Sequence, residues 1–352
     1  MNTKVVKIDP QNPRKQDIKE AADILRDGGL VIIPTETVYG IAANSANKQT
    51  IEKLSEIKKR AKDKPFSLHL AFKGDIEKYA SDILPAAYRL IENFWPGPLT
   101  LILKDKNNGK VGVRIPNHRI ALAIIREADV PVVCPSANLS GNKPPHTIEE
   151  ALKDLKGLVE LAVDTGETTL GKESTVVDAS KFPLEVLRVG AIPKEQIERI
   201  ANKKTVLFIC TGNSCRSVMA KGLLEKKLKD SGRDNVEVIS AGIMMVAGLG
   251  VTEATRELLK REGVDVSAHH SQRVTEAMIK KSDIILAMQE LHAKEISKMV
   301  PEAKNRVFLL KEFAKINDSD LNIPDPIGKL MDFYAQTFAI IKESIERIAD
   351  VI

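Results

Sequence analysis

The stretch that decides the fold of the second half of the chain reads Cys210-Thr211-Gly212-Asn213-Ser214-Cys215-Arg216-Ser217. It follows an apolar run at 205–209 and precedes a helical pattern that extends from about Ser217 to Leu228. A buried strand that passes through a short glycine-containing turn into a helix is the βα unit of a parallel sheet. The stretch therefore predicts an α/β fold, and a large segment of chain lies before it.

The chemistry of the same stretch is that of an oxyanion site. Successive backbone N–H groups and the N-terminus of the following helix can surround a bound phosphate, and Arg216 can hold two of its oxygens. The same positive field favours the thiolate form of Cys210 near neutral pH. A thiol six residues before a guanidinium thus predicts a site where sulfur attacks phosphorus.

Apolar runs alternate with helical patterns through the rest of this half. Strands are predicted at 205–209, 236–240, 283–287 and 306–310. This alternation predicts a small, parallel, Rossmann-like sheet of four strands with right-handed crossovers. The final helix carries an apolar stripe at helical spacing, formed by Tyr334, Phe338, Ile341, Ile345, Ile348 and Ile352. We expect this stripe to pack on its own sheet, although a dimer seam needs the same pattern.

The first half has the same alternation, which predicts a second α/β domain. Its predicted strands are 30–33, 67–72, 99–103, 111–115, 130–134, 158–163 and 174–177. The polar stretch 201–204 follows a helical pattern at 194–200 and is the best linker. We therefore predict two domains, residues 1–202 and residues 203–352.

The composition, 43% hydrophobic and 29% charged among 352 residues, is that of a globular protein with material for two cores. A net charge of +5 suits anionic substrates but does not by itself indicate nucleic acid. The three cysteines make no disulfide framework, and the histidines have no metal-ligand spacing. No apolar run reaches membrane-spanning length. We expect a reduced, cytoplasmic setting and no membrane partner.

A carboxylic acid near the end of the chain completes the phosphate chemistry. Asp325 stands between Pro324 and Pro326, in a loop before the last helix. If Cys210 attacks phosphorus, the leaving group needs a proton, and an acid held in a stiff loop can supply it. This arrangement predicts a phosphocysteine mechanism.

Residues 204 to about 350 resemble the low-molecular-weight protein tyrosine phosphatases, which have a CxGNxCRS loop and a late Asp-Pro pair. The resemblance implies that Cys210 is the nucleophile, that Arg216 binds phosphate and that Asp325 is the general acid. It also implies that the second cysteine of the loop can form a reversible disulfide with Cys210. The implied phosphate-loop residues are Thr211, Gly212, Asn213, Ser214, Cys215 and Ser217.

Two positions favour phosphoarginine over phosphotyrosine as the substrate. Tyrosine-directed members of the family tend to have a bulky aliphatic residue where Ser214 stands here, and an aromatic residue where Ile327 stands. A small hydroxyl residue in the loop resembles the protein-arginine phosphatase branch, whose loop reads CTGNTCRS. The family's usual proline and later glutamate are replaced by Val218 and Lys221, which affects the start of the helix rather than the chemistry.

Polar and basic side chains follow the predicted strands of the first half, where the ligand sites of α/β sheets form. They lie in the segments 34–40, 58–60, 135–138 and 174–175, and together they suit a polyphosphate. A further segment, 166–172, nearly has the spacing of a P-loop. However, Glu173 stands where a hydroxyl must meet magnesium, and a strand follows instead of a helix. We therefore predict that this segment is not a P-loop.

Six ordered motifs in the first 200 residues resemble the YrdC-type threonylcarbamoyl-AMP synthases: PTETVYG, KxR, SLHL, VGVRIP, PSANLSG and KESTVVD. The resemblance implies a twisted, mostly open α/β sheet whose concave face binds ATP and L-threonine. Enzymes of that family convert ATP, L-threonine and bicarbonate into threonylcarbamoyl-adenylate and pyrophosphate. Partner transferase proteins then form N6-threonylcarbamoyladenosine at position 37 of tRNA, and whether this chain binds tRNA directly stays open.

The same resemblance implies the ligand contacts position by position. Threonine is expected to contact Thr37, His69, Arg114 and Ser174. ATP is expected to contact Lys58, Arg60, Cys134, Ser136 and Arg188, and magnesium is expected to accompany it. The chain departs from the family pattern at Lys64 and Pro144, where asparagine and serine are usual.

An alternative is that the first domain is an RNA-binding or translation-associated module without turnover, so that the phosphatase is the only enzyme. A concave basic surface could hold RNA electrostatically, including a double-stranded form. The aromatic content is only 4%, however, and aromatic and basic residues are not interleaved as base stacking requires. The threonine-type contacts Thr37, His69 and Ser174 favour the enzyme.

Overall fold

The computed structural model describes residues 2–59, 65–244 and 248–352. The chain divides into two compact units, Met1–Ala201 and Asn202–Ile352. The division predicted from the sequence lies one residue later, between 202 and 203. Each unit is described by itself.

The first unit contains a mixed sheet of ten strands in the order β1-β8-β2-β3-β7-β4-β6-β5-β9-β10. The strands are β1 Lys4–Lys7, β2 Val31–Ile33, β3 Gly40–Asn44, β4 Leu68–His69, β5 Leu99–Lys104, β6 Lys110–Arg114, β7 Val132–Val133, β8 Leu161–Asp164, β9 Thr175–Asp178 and β10 Glu185–Arg188. The helices are α1 Lys15–Arg26, α2 Lys48–Ile57, α3 Ile76–Tyr79, α4 Pro85–Phe94, α5 Arg119–Ala128, α6 Ile148–Leu155 and α7 Lys194–Ala201. A mixed α/β architecture is therefore confirmed for this half.

Hydrophobic cores cover both faces of this sheet. Along β2 and the residue before it, Leu30 and Ile32 belong to one core, whereas Val31 and Ile33 belong to the other. Successive side chains of a strand point to opposite faces, so a strand buried on both sides is apolar throughout. This explains the uninterrupted apolar run that the sequence shows at 30–33.

Three strands of the first unit were missed by the sequence analysis, namely β1, β3 and β10. Strand β3 reads Gly-Ile-Ala-Ala-Asn and has a single β-branched residue, so its strand signal is weak although every residue is buried. Strands β1 and β10 stand at the two edges of the sheet and contain exposed charged residues. The prediction of 67–72 as one strand was also too long, because only Leu68–His69 pairs in the sheet.

The second unit has a sheet of four parallel strands, as the sequence predicted, and their order is β12-β11-β13-β14. Its strands are β11 Lys204–Cys210, β12 Val236–Gly242, β13 Ile284–Ala287 and β14 Val307–Leu309. Its helices are α8 Arg216–Asp230, α9 Glu253–Arg261, α10 Glu276–Lys281, α11 Glu290–Met299, α12 Leu310–Phe313 and α13 Met331–Ile348. Parallel order brings the carboxyl ends of β11, β12 and β13 to one edge of the sheet, where the loop that starts at Cys210 lies.

The apolar stripe of the last helix is buried within the second unit. Tyr334, Phe338, Ile341, Ile345 and Ile348 belong to the same core as the apolar residues of α8. The same core includes Val206 and Phe208 of β11, so the expectation that the stripe packs on its own sheet is confirmed. None of the helices in the described ranges is long and apolar enough to cross a bilayer.

Candidate active sites

A cavity of about 480 Å³ opens on the sheet of the first unit. The cavity is lined by all the predicted threonine contacts and by the predicted ATP contacts that fall within the described ranges. These residues are Thr37, Lys58, His69, Arg114, Cys134, Ser136, Ser174 and Arg188. Arg60, the remaining predicted ATP contact, and Lys64 lie outside the described residues, and Pro144 is not among the residues that line the cavity.

Strand register explains why distant segments meet in this cavity. His69 of β4 is paired with Arg114 of β6, and Val176 of β9 is paired with Arg188 of β10. Paired residues on adjacent strands point to the same face and lie about 5 Å apart. These four side chains therefore lie on one face of the sheet, where they line the cavity.

Arg114 is held by three groups from two different segments. Its Nη2 atom donates to Glu36 Oε1 at 2.7 Å and to Thr37 Oγ1 at 3.0 Å, and its Nε atom donates to the Gly97 carbonyl at 3.2 Å. The side chains of Arg114 and Glu36 are each only 6% exposed. The ion pair is thus buried, and it fixes the guanidinium at one end of the cavity. No role was predicted for Glu36 from the sequence.

Two groups that line the cavity are neutral. Burial, with the nearby charge of Arg114, lowers the pKa of His69 to about 3. Burial raises the pKa of the Cys134 thiol to about 12. His69 can therefore contact threonine only as a neutral hydrogen-bonding group, and Cys134 offers a thiol rather than a thiolate at neutral pH.

Arg188 and Ser174 are joined to each other. Arg188 Nη2 donates to the Ser174 carbonyl at 3.0 Å and to Ser174 Oγ at 3.2 Å, and its Nη1 donates to Glu173 at 2.7 Å. Ser174 Oγ is also 2.9 Å from Thr100 Oγ1. A predicted threonine contact and a predicted nucleotide contact are therefore neighbours, as a reaction between the two ligands requires.

Lys58 joins the end of α2 to the segment that follows β7. Its Nζ donates to the carbonyls of Ser136 at 2.8 Å and Asn138 at 2.7 Å, and to Asn138 Oδ1 at 2.9 Å. Ser136 Oγ donates to the same amide oxygen at 2.6 Å. A cation and a hydroxyl are thus held together at the wall of the cavity.

Another lysine of the cavity was missed by the sequence analysis. Lys110 lines the cavity and donates to Asp178 Oδ2 at 2.6 Å. The period-2 alternation of β6 could have found it, because Lys110, Gly112 and Arg114 share one face. The P-loop-like segment 166–172, by contrast, forms a loop that leads into β9, so its rejection is confirmed.

In the second unit, the thiol of Cys210 lies at the end of β11 and the helix α8 begins at Arg216. Cys210 Sγ accepts from the backbone N–H of Asn213 at 3.2 Å and lies 3.0 Å from Ser217 Oγ. The thiol is 2% exposed. The sulfur is thus enclosed by the loop, next to a backbone N–H and a hydroxyl group.

The loop between Cys210 and Arg216 is held in place by Asn213. Its backbone adopts a left-handed conformation, with φ of 54°. Its side-chain amide donates to Ser217 Oγ at 3.0 Å and to Ser240 Oγ at 2.9 Å, and it accepts from the Gln272 N–H at 3.0 Å. These contacts offset the strain of the left-handed residue and so keep the loop in one conformation.

The conformation of the loop also depends on Gly242, at the end of β12. A Cβ atom at this position would lie 2.6 Å from the Thr211 carbonyl and 3.0 Å from the Asn213 nitrogen. No side chain can therefore replace this glycine without moving the loop. Gly242 was not predicted as a site residue, because it is far from the loop in the sequence.

Arg216 is 1% exposed and donates to four acceptors. Nη1 contacts Gln289 Oε1 and the Ile323 carbonyl, each at 2.9 Å, and Nη2 contacts Thr211 Oγ1 at 3.0 Å. Nη2 also forms an ion pair with Asp325. The structure thus brings together the predicted phosphate ligand and the predicted general acid, although they lie 109 residues apart.

The second cysteine of the loop is surrounded by hydroxyl groups. Cys215 Sγ lies 3.3 Å from Thr252 Oγ1, 3.7 Å from Ser214 Oγ and 3.8 Å from the hydroxyl of Tyr334. Cys210 and Cys215 are both free thiols. A disulfide between them stays a prediction.

Two family models match the chain. The family described as telomere recombination (Sua5, YciO and YrdC) matches residues 23–190, and the family of low molecular weight phosphotyrosine protein phosphatases matches residues 205–352. A putative threonylcarbamoyl-AMP synthase of Methanocaldococcus jannaschii is 34% identical over 209 residues, which cover 56% of this chain and 99% of that relative. A protein-arginine-phosphatase of Geobacillus stearothermophilus is 36% identical over 145 residues, which cover 41% of this chain and 93% of that relative.

The crystal structure of Pyrococcus abyssi Sua5 complexed with L-threonine has a TM-score of 0.54 to this chain. It is 27% identical in sequence, and the match covers 87% of this chain and 99% of that one. The chain spans only 63% and 56% of the lengths of two other curated threonylcarbamoyl-AMP synthases that it matches, those of Pyrococcus abyssi and Bacillus subtilis.

Proposed function

We propose that the chain is a fusion of two enzymes. Its first unit belongs to the Sua5/YciO/YrdC family, and its second unit belongs to the low-molecular-weight phosphatase family. The first unit makes threonylcarbamoyl-adenylate and pyrophosphate from ATP, L-threonine and bicarbonate. The observation that carries this proposal is the convergence of Lys58, Arg114, Ser174 and Arg188 on one cavity. The decisive experiment is pyrophosphate release by the purified protein, which should require threonine and bicarbonate as well as ATP.

The proposed reaction needs positioning and charge neutralisation more than proton transfer. The amino nitrogen of threonine bonds to the carbon of bicarbonate, and water is lost as the carbamate forms. An oxygen of the carbamate then attacks the α-phosphorus of ATP while the bond to the pyrophosphate oxygen breaks. We place the threonine carboxylate at Arg114 and the α-phosphate near Arg188. Ser174, a predicted threonine contact, is hydrogen-bonded to Arg188, so the two ligands would lie next to each other there. Lys58 and Ser136 then face the departing pyrophosphate.

Magnesium would enter this site with the nucleotide. Among the described residues, no group of three histidine, cysteine, aspartate or glutamate side chains is placed to hold a metal ion. The ion would therefore be carried by the ATP phosphates and would neutralise part of their charge. The product is a reactive mixed anhydride, so a downstream transferase must consume it to modify tRNA.

Replacing Lys58 with methionine is expected to raise the KM for ATP at least about tenfold, because a phosphate loses its cation. The KM for threonine should change by less than about threefold. Pyrophosphate release at varied ATP and threonine concentrations measures both constants.

The matched control for this variant is Lys53→Met. Lys53 lies on α2, the helix that ends just before Lys58, and it pairs with Glu160 and does not line the cavity. The Lys53→Met variant should leave the KM for ATP and the KM for threonine unchanged. An unchanged KM for ATP in Lys58→Met would remove the proposed phosphate contact.

The second unit is proposed to hydrolyse a protein phosphoresidue. The Cys210 thiolate attacks phosphorus, the bond to the leaving group breaks, and Asp325 gives the leaving group its proton. Asp325 then takes a proton from water, whose oxygen attacks the phosphocysteine and releases phosphate and thiolate. Because Asp325 pairs with Arg216 in the structure, bound phosphate must replace that carboxylate on the guanidinium before the acid can reach the leaving group.

Phosphoarginine is the proposed substrate. Ser214 leaves the loop without a bulky aliphatic wall, and Ile327, which is 57% exposed, offers no aromatic ring for a phenol. Turnover of a phosphoarginine peptide should therefore exceed that of the matched phosphotyrosine peptide by at least about tenfold in kcat/KM. Faster phosphate release from phosphotyrosine would contradict this assignment and leave the phosphatase activity intact.

The RNA-binding alternative for the first unit explains less of the cavity. A surface that holds RNA needs accessible cations, whereas Arg114 is buried with Glu36 and bonded to Thr37. An RNA module would show salt-sensitive RNA retention and no response to threonine. Threonine-dependent pyrophosphate release separates the two functions.

A further inference from the structure

Behind the phosphate loop of the second unit lies a buried histidine that the proposed mechanism does not use. The ring of His292 is fully buried, and its Nε2 atom lies 3.0 Å from Thr211 Oγ1. His292 is in the first turn of α11, and the residue before that helix, Gln289, accepts from Arg216 Nη1 at 2.9 Å. The start of α11 thus contacts both Thr211 and Arg216.

The role of Arg216 in this chain of contacts is fixed by its chemistry. A guanidinium can only donate, so the 3.0 Å contact between Arg216 Nη2 and Thr211 Oγ1 uses a lone pair of the hydroxyl. The single hydrogen of Thr211 is then available to His292 Nε2, which accepts it when the ring hydrogen is on Nδ1. Burial, with the nearby charge of Arg216, lowers the pKa of His292 to about 4, so the neutral ring that this assignment needs is present at neutral pH.

We propose that His292 is a positioning residue for the phosphate-binding guanidinium and acts through Thr211. By accepting the hydroxyl hydrogen, His292 keeps the lone pairs of Thr211 directed at Arg216. The contact fixes one edge of the guanidinium, which then presents its remaining donors to the anion. Without His292, the hydroxyl can rotate and turn its hydrogen toward Arg216. This inference rests on the phosphatase function proposed above and adds a residue to that site.

Packing alone does not account for a histidine at this position. The other ring nitrogen, Nδ1, is buried and has no hydrogen-bond partner among the described residues. A buried donor without a partner lowers stability. A leucine would fill similar space without that cost. We therefore expect that His292 is kept for the contact of Nε2 with Thr211.

The test is calorimetric binding of inorganic phosphate to the full chain, with His292→Leu and His292→Gln compared. Glutamine can place an amide oxygen near the position of Nε2, whereas leucine cannot accept a hydrogen bond. His292→Leu should weaken phosphate binding about tenfold, and His292→Gln by less than about threefold. The unfolding temperature of His292→Leu should not fall below that of the wild type. Glu295→Gln, an exposed change on the same helix, should have no effect.

A double-mutant cycle with Thr211→Val decides whether His292 acts through the hydroxyl. If it does, the double variant should bind phosphate about as weakly as either single variant, instead of about a hundredfold more weakly than the wild type. Additive losses, or equal losses in the leucine and glutamine variants, would overturn the proposal.

Turnover of a phosphoester by the same samples separates this inference from the proposed function. A wild type that binds phosphate but releases none from the ester contradicts the phosphatase activity. The binding data then still decide the role of His292. A wild type that does not bind phosphate at all contradicts both.

Discussion

Replacing Cys210 with serine is expected to lower the phosphatase turnover of the full chain by at least about 10⁴-fold. A serine hydroxyl is far less acidic than a thiol, and the loop contains no general base that would activate it. The donors around the sulfur, the Asn213 N–H at 3.2 Å and Ser217 at 3.0 Å, would face a neutral hydroxyl instead of a thiolate. Phosphate release from a phosphoarginine peptide and from a small aryl phosphate measures the loss.

Two controls show whether the loss is chemical. The serine variant should still bind inorganic phosphate, because Asn213 and Arg216 are untouched. It should also release pyrophosphate at the wild-type rate, because the cavity of the first unit lies in a separate compact unit. Residual phosphatase turnover within about tenfold of the wild type would contradict a phosphocysteine mechanism.

The periodicity of apolar residues predicted the fold of the second unit more completely than the fold of the first unit. The strands of the second unit are apolar runs that alternate with helices, and parallel order follows from the crossovers. In the first unit, antiparallel pairs such as β2 with β3 and β5 with β6 are mixed with parallel ones. A short alanine-rich strand such as Gly40–Asn44 has little strand propensity, and only its burial between neighbours makes it a strand.

The predicted site residues lie where short motifs mark strand ends, whereas the residues that were missed act through long-range contacts. Glu36 was seen in its motif, but its pairing with Arg114 spans 78 residues. His292 gives no local signal, because a lone histidine near a helix start is more often packing than function. Gly242 contacts the phosphate loop only because β12 lies next to β11. Such contacts depend on strand order, which local patterns do not determine.

Replacing Arg114 with methionine is expected to have the second large effect, on both stability and catalysis. The variant leaves the buried Glu36 carboxylate without its cation, and removing one partner of a buried ion pair costs about 3–5 kcal/mol. Trp95 is the single tryptophan of the chain and is buried in the first unit, so its fluorescence during urea unfolding reports on that unit. Arg199→Met, an exposed change on α7, should shift the unfolding free energy by less than about 0.5 kcal/mol.

The double variant Glu36→Gln with Arg114→Met separates the two roles of the guanidinium. With both charges removed, no uncompensated carboxylate is buried, so most of the lost unfolding free energy should return. The threonine carboxylate still lacks its cation, so threonine-dependent pyrophosphate release should stay at least about a hundredfold below the wild type in kcat/KM. If catalysis returned together with stability, Arg114 would serve the fold alone, and the threonine end of the cavity would have to be placed elsewhere. If stability did not return, the buried pair would not be the source of the loss.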